Sequence, residues 1–230
     1  MMTKKSKAIL SAVFIAAEFS IWILIISGKG TNPLRFLSVV LAFLLSLTAL
    51  RAKNIKTAVP VALFCTVLAD FCLVILSPMR QIPAMIFFSL AQISYATMLF
   101  SLEKEKRTRN YQIYTRIALT AMIEGAMLAV LKGGADLLSV ITMFYFANLC
   151  LNAVFAAISA RSIILSLGFI AFIACDVFVG LGVLFTQYIN ADATTFATVL
   201  NKIFTELDIV WFFYIPSQTF ISLYSTQNKA

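Results

Sequence analysis

The chain has 230 residues, of which 61% are hydrophobic and 12% are charged, and its mean hydropathy is +0.96. This composition excludes a soluble globular domain and indicates a polytopic membrane protein of the all-α class. The absence of histidine excludes Ser-His-Asp hydrolysis, HExxH zinc sites and histidine-ligated haem. The net charge of +8 comes from basic residues in short loops between apolar runs, so it predicts membrane orientation and no nucleic-acid partner.

Eight apolar runs follow one another along the chain and predict a bundle of eight transmembrane helices in a single domain, residues 1–230. The predicted spans are residues 8–27, 34–50, 58–76, 83–101, 112–131, 137–158, 163–185 and 203–224. With a cytoplasmic N-terminus, thirteen of the 18 lysines and arginines lie on the cytoplasmic side. The positive-inside rule therefore predicts that both termini are cytoplasmic, and we expect an integral protein of a bacterial cytoplasmic membrane.

The first, third, fifth and seventh runs each carry one acidic residue, in order Glu18, Asp70, Glu124 and Asp176. Glu124 follows Glu18 by 106 residues, and Asp176 follows Asp70 by the same 106 residues. Two equal separations indicate an internal duplication. Because each half contains four runs, the halves would share one orientation, which predicts a 4+4 parallel repeat of residues 1–106 and 107–230.

An acidic side chain near the middle of a span is costly, by about 2.5 to 3.5 kcal/mol on insertion scales. Such a residue therefore faces the bundle interior or a wet cavity instead of lipid. For Asp70 and Asp176 we favour a functional role, because repeat symmetry brings equivalent helices together. For Glu18 and Glu124 a protonated acid that is hydrogen-bonded to a neighbour explains the residue equally well.

Further polar residues recur on single helix faces in three of the predicted spans. They are Ser89, Gln92 and Tyr95 in the fourth span, Tyr145, Asn148 and Asn152 in the sixth, and Asp208, Trp211, Tyr214 and Gln218 in the last. Spacings of three and four residues place side chains on one face of a helix. These residues either line a site or join helices by hydrogen bonds, each worth about 0.6 kcal/mol.

Two buried acids suit general acid and base catalysis without histidine. A carboxyl group removed from water holds its proton more firmly, and a neighbouring carboxylate strengthens this effect. One aspartic acid would then be protonated and the other ionised at neutral pH. Reactions that pass through an oxocarbenium ion need this combination, and a site within the membrane indicates a lipid substrate. We expect no cofactor and no metal.

Several local patterns resemble the YhhN-like family of membrane proteins. They lie in Ala62–Leu73, ALFCTVLADFCL, Phe87–Phe100, FFSLAQISYATMLF, Ile170–Leu181, IAFIACDVFVGL, and Trp211–Ser222, WFFYIPSQTFIS. The resemblance covers nearly the whole chain, in the order of the motifs and the count of spans. Gln92 stands where many members carry histidine, and Asn32 stands where lysine is common.

The characterised members of this family are lysoplasmalogenases. The resemblance therefore implies an ether hydrolase that cleaves the vinyl-ether bond of a lysophospholipid to a fatty aldehyde and a glycerophospho-head group. Asp70 and Asp176 would be the acid and the water-orienting carboxylate. The residues expected to position water or the glycerol head are Gln92, Tyr95, Asn148, Asn152, Asp208, Tyr214 and Gln218. Arg35 or Lys202 would hold the phosphate or act as an interfacial anchor.

The main alternative is a proton-coupled transporter of a small solute or lipid, since duplicated halves with midplane acids also occur in carriers. A non-catalytic lipid-binding protein is a third reading, but it does not explain paired acids. Chemical turnover in detergent, where no two compartments exist, separates the enzyme from the carrier.

Overall fold

A computed structural model describes residues 4–48, 57–131, 136–188 and 208–227. Within these ranges the chain is almost entirely helical and contains no β-strand, which confirms the predicted all-α class. The eight helices are α1 Lys4–Leu24, α2 Asn32–Ser46, α3 Ala58–Asp70, α4 Gln81–Leu102, α5 Lys106–Leu131, α6 Leu137–Phe155, α7 Ile163–Tyr188 and α8 Ile209–Thr226.

Three of the helices continue into a wider π-helical turn. These turns are Ile25–Lys29 after α1, Phe71–Ile75 after α3 and Ala156–Ala160 after α6. Such turns are rare in proteins and are often found at functional positions. The turn after α3 begins directly behind Asp70, so this aspartate lies where the regular helix ends.

Five of the helical stretches are long and apolar enough to cross a membrane. They are Ala8–Lys29, Ala58–Ile75, Gln81–Leu102, Leu137–Ala160 and Ile163–Gly182, whereas the apolar stretch Asn32–Ser46 in α2 is shorter. Large apolar side chains on the outside of the bundle, such as Val13 and Ile163, are 63% and 78% exposed, as expected where helices face lipid. These helices are compatible with an integral membrane protein, while the count of eight spans stays a prediction.

Helices α2 and α6 each begin at a capping residue that lies just outside an apolar run. Thr31 accepts a hydrogen bond from the backbone N–H of Leu34 at 3.4 Å before α2. Asp136 accepts from the backbone N–H of Ser139 at 2.8 Å before α6. The hydroxyl and the N–H of Ser139 also hold the pKa of Asp136 below its usual range. Both caps satisfy N–H groups that a helix leaves unpaired at its start.

The helices pack in a pattern that brings distant parts of the chain together. The closest pairs are α3 with α4 and α7 with α8, and α4 packs on α6 while α2 packs on both α3 and α8. Helix α1 packs against α2 and α8, and α5 packs against α6. Small residues allow this close approach: Ala62 and Ala69 of α3 and Ala84 and Ala91 of α4 are all fully buried.

The contact between α7 and α8 depends on the lack of a side chain at Gly168. A Cβ atom added there would lie 2.8 Å from Cγ1 of Ile221, whereas one added at Gly180 on the same helix would meet nothing within 4 Å. We expect Gly168→Leu to lower the free energy of unfolding by about 1–3 kcal/mol, because overpacking forces the helices apart. Thermal unfolding in detergent measures this effect.

Gly180→Leu is the matched control, since the same side chain is added to the same helix in open space. Equal melting temperatures for the two variants would contradict the assigned α7–α8 contact.

Candidate active site

The two mid-helix aspartates both face the interior of the bundle. Asp70 at the end of α3 is 3% exposed, and Asp176 in the middle of α7 is partly buried. The two carboxyl groups are close enough to interact electrostatically. The thiol of Cys175, which is buried, interacts with both of them. Asp70 and Asp176 therefore belong to one site.

Each aspartate accepts a hydrogen bond from a tyrosine of another helix. The hydroxyl of Tyr214 in α8 donates to Oδ2 of Asp70 at 2.6 Å. The hydroxyl of Tyr145 in α6 donates to Oδ2 of Asp176 at 2.5 Å. Both tyrosines are at most 4% exposed. These bonds compensate for the removal of the carboxyl groups from water.

The ring of Phe172 lies between the two aspartate–tyrosine pairs. Its centroid is 5.5 Å from the ring of Tyr214 and 6.3 Å from the ring of Tyr145, and both contacts are edge-to-face. Phe88 of α4 packs on Phe172 and Tyr145, with centroid distances of 6.2 and 5.4 Å. The floor of the site is thus aromatic and excludes water from one side of the acids.

A second polar cluster, formed by Gln92, Asn152 and Arg116, joins α4, α6 and α5. The amide nitrogen of Asn152 donates to Oε1 of Gln92 at 2.8 Å and to its backbone carbonyl at 2.9 Å. The guanidinium of Arg116 donates to Oδ1 of Asn152 at 2.7 Å. All three side chains are buried, so this hydrogen-bond network is shielded from solvent.

The remaining predicted site residues have varied surroundings. Tyr95 is fully buried against Phe169, and its hydroxyl has no hydrogen-bond partner among the described residues. Gln218 donates to the hydroxyl of Ser217 at 3.1 Å, and its Oε1 is likewise unpaired there. Asn148 donates to the carbonyl of Phe144 on its own helix at 2.9 Å.

Two predicted residues form a contact at the start of α8 instead of joining the aspartates. Arg35 of α2 forms a salt bridge with Asp208, the residue before α8, and also donates to Asn32 at 3.1 Å. Its guanidinium lies 5.7 Å from the centroid of the Trp211 ring. Lys202, the other predicted phosphate ligand, lies outside the described residues. The charge of Arg35 is therefore already balanced by Asp208.

The other two intramembrane acids lie in clefts on the sides of the bundle. Glu18 accepts a hydrogen bond from the hydroxyl of Ser38 at 2.5 Å and is 2% exposed. Neither carboxyl oxygen of Glu124 has a hydrogen-bond partner within the described ranges. Glu124 lines a cleft of about 510 Å³ with apolar residues of α4, α5 and α6, among them Phe144. Glu18 therefore fits the interpretation of an acid that is hydrogen-bonded to a neighbouring side chain, whereas Glu124 does not.

Sequence reasoning missed Arg116 as a site residue and did not pair either tyrosine with its aspartate. The sequence does contain an indication of the role of Arg116, because a basic residue inside the predicted span 112–131 is unusual. No sequence feature indicates which tyrosine pairs with which aspartate. In the part of the chain that the structure describes, no three cysteine, aspartate or glutamate side chains come together as metal ligands.

The fold and the site define a helical membrane protein with an acid pair at its centre. The family model of the YhhN family matches residues 32–224, which include α2 to α7 and most of α8. The chain therefore belongs to the YhhN family. No curated protein and no solved structure matches it.

The two tyrosines are expected to stabilise the folded protein through their bonds to the acids. Tyr214→Phe and Tyr145→Phe should each lower the free energy of unfolding by about 1–3 kcal/mol, because a buried carboxyl group loses its donor. Thermal unfolding in detergent measures the change. Tyr114→Phe, at a side chain that is 68% exposed, is the control and should have no effect.

A double-mutant cycle makes this test specific. In the Asp70→Ala background the effect of Tyr214→Phe should shrink, since the acceptor of the tyrosine hydroxyl is already removed. Additive effects would show that the tyrosine stabilises the bundle without the aspartate.

Proposed function

We propose that the protein is an intramembrane hydrolase of the lysoplasmalogenase type. It would cleave the vinyl-ether bond of a lysophospholipid to a fatty aldehyde and a glycerophospho-head group. The observation that supports this proposal is that Asp70 and Asp176 lie near each other and that each accepts a hydrogen bond from a tyrosine. Membership of the YhhN family supports the reaction class.

The proposed chemistry starts with proton transfer from one carboxyl group to carbon. The π electrons of the vinyl ether bind the proton at the carbon remote from oxygen, and the remaining charge is shared with oxygen as an oxocarbenium ion. Water then adds to the carbon beside oxygen while the second carboxylate accepts a proton. The resulting hemiacetal then collapses: the second carboxyl group gives its proton to the glycerol oxygen, which leaves as an alcohol, and the first carboxylate accepts the proton of the hemiacetal hydroxyl, which becomes the aldehyde oxygen. One water is consumed and both carboxyl groups regain their starting states by proton exchange.

The electrostatic interaction between the acids explains why they would divide these roles. Two negative charges close together in an apolar pocket repel strongly, so the ground state holds one proton between the two groups. The protonated aspartic acid is the donor, and the ionised one stabilises the cation and orients water. Either aspartate can take either of these two roles in the proposed reaction.

Tyr145 and Tyr214 would act as positioning residues. Each tyrosine bonds to Oδ2 of its aspartate, so Oδ1 of both acids remains for substrate or water. Phe172, between the pairs, would exclude bulk water and so protect the oxocarbenium ion from uncontrolled attack.

The contacts of the other polar residues suggest their roles in substrate binding. We propose that Tyr95 and Gln218 contact the glycerol or water and that Gln92 contacts the phosphate side of the head group, because each has a buried polar atom without a described partner. Asp208 would fix the start of α8 through Arg35 instead.

We further propose the 4+4 parallel repeat, with eight spans and both termini in the cytoplasm. Under this repeat the helix pair α3–α4 corresponds to α7–α8, the pair α2–α3 corresponds to α6–α7, and the pair α2–α8 corresponds to α6–α4. All six pairs pack together in the structure. Glu18 lines a cleft with residues of α1 and α8, and Glu124 lines one with residues of α4, α5 and α6, which supports a repeat of residues 1–106 and 107–230.

Asparagine substitutions test the role of the acids. Asp70→Asn and Asp176→Asn should each lower the rate of aldehyde release from lysoplasmenyl lipid by about 10²- to 10⁴-fold, because an amide can neither donate nor accept the required proton. Mass spectrometry of the released aldehyde measures the rate. Asp136→Asn, at the exposed cap of α6, is the control and should retain activity.

The assay uses purified protein in detergent micelles, where a transporter has no gradient to act on. Full activity of both aspartate variants would refute the acid–base assignment. Solute uptake into proteoliposomes, with no lipid product formed, would favour the proton-coupled carrier.

A further inference from the structure

Arg116 is a buried cation with unused hydrogen-bond donors. Its side chain is 7% exposed, and its guanidinium lies 5.2 Å from the ring centroids of both Phe100 and Phe155. Nη2 donates to Asn152, but Nε and Nη1 have no partner among the described residues. The two rings hold the guanidinium by cation–π attraction and leave these two nitrogens uncommitted.

No carboxylate balances this charge in the part of the chain that the structure describes. The one salt bridge found there joins Arg35 and Asp208. A buried charge without a counter-ion is strongly unfavourable, and buried donors without acceptors are rare in folded proteins. The surroundings of Arg116 are therefore those of a site for an anion.

Two buried side chains of α4 add donors without a described partner, and Gln112, one turn before Arg116 on α5, adds an acceptor, its buried and unpaired Oε1. Oε1 of Gln92 is occupied by Asn152, which leaves the amide nitrogen of Gln92 buried and unpaired. The hydroxyl of Tyr95 lies one turn further along the same helix, and it is also buried and unpaired. A guanidinium beside an amide N–H₂ group suits the oxygen atoms of a phosphate, which arginine binds through paired hydrogen bonds.

We propose that Arg116 and Gln92 bind the phosphate of a lysophospholipid. This inference rests on the proposed hydrolase function, because it supplies the head-group subsite of the same substrate. Asn152, which holds Arg116, lies seven residues from Tyr145 on α6, which is about 10 Å along the helix axis. A glycerol backbone together with the reach of the side chains spans this length, so the vinyl ether would lie at the acid pair.

The placement also defines the direction in which the lipid lies. Arg116 lies in the first half of α5 and bonds to Asn152 in the last turn of α6, so the head group would lie toward that end of the bundle. The hydrocarbon chain would then extend past Asp70 and Asp176 toward the opposite end. The predicted phosphate ligand Arg35 is less suited, because Asp208 already neutralises it.

A binding experiment tests the subsite without any need for turnover. The ligand is a 1-O-alkyl lysophosphocholine, which has no vinyl-ether bond and cannot be cleaved by this reaction. A 1-O-alkylglycerol of equal chain length has no phosphate and serves as the paired ligand. Isothermal titration in detergent should show at least tenfold weaker binding of the lysophosphocholine to Arg116→Gln, with binding of the alkylglycerol unchanged.

Three further variants complete the design. Arg116→Lys keeps the charge but not the paired donors, so it should retain part of the affinity. Gln92→Met should weaken only the phosphate ligand, and it tests the site independently if Arg116→Gln does not fold. Arg109→Gln removes an exposed arginine from the same helix and should bind both ligands normally.

Several outcomes would overturn the proposal. They are an equal loss of affinity for the two ligands, no loss for either, and inorganic phosphate binding as tightly as the lipid, which would indicate a site for a free anion. If lysoplasmenyl lipid is cleaved, Arg116→Gln should raise KM more than it lowers kcat. A protein that binds the alkyl lysophosphocholine through Arg116 but releases no aldehyde would refute the hydrolase function and leave this subsite in place.

Discussion

The bundle depends on hydrogen bonds from tyrosine hydroxyls to carboxyl groups inside an apolar interior. A carboxyl group in such surroundings is tolerated only where a donor replaces the water that it has lost. Tyr214 supplies that donor to Asp70, and Tyr145 supplies it to Asp176. These bonds join α3 to α8 and α6 to α7.

The same surroundings that make the acids costly make them useful. Phe172 and Phe88 keep the site apolar, so electrostatic interactions between its charged groups are stronger than in water. A pair of aspartates in water would both be ionised and would have no proton to donate. The aromatic floor is therefore as much a part of the proposed chemistry as the carboxyl groups are.

The two lateral acids show how equal positions in sequence acquire different surroundings. Glu18 is hydrogen-bonded by Ser38. The residue that follows Ser38 by 106 positions is Phe144, which lines the cleft of Glu124 and offers no hydroxyl. Among the described residues, Glu18 therefore has a hydroxyl donor and Glu124 has none.

Composition and the spacing of acids along the apolar runs were sufficient to predict the helical membrane class and the inward direction of Asp70 and Asp176, whereas the family resemblance came from local sequence motifs. These properties follow from the cost of placing charge in lipid, which acts on each helix separately. The prediction of eight spans goes further than hydropathy supports, since α5 starts with charged residues and is absent from the five clearly apolar stretches.

The sequence by itself determined which helices carry the acids, because a run of apolar residues with one carboxylate can be recognised without knowing its neighbours. Only the tertiary structure decided which side chains meet them. The donors to Asp176 and Asp70 come from positions 31 and 144 residues away, and Arg116 lies beside Asn152 across 36 residues. Contacts over such separations depend on how the helices pack, and no local pattern encodes them.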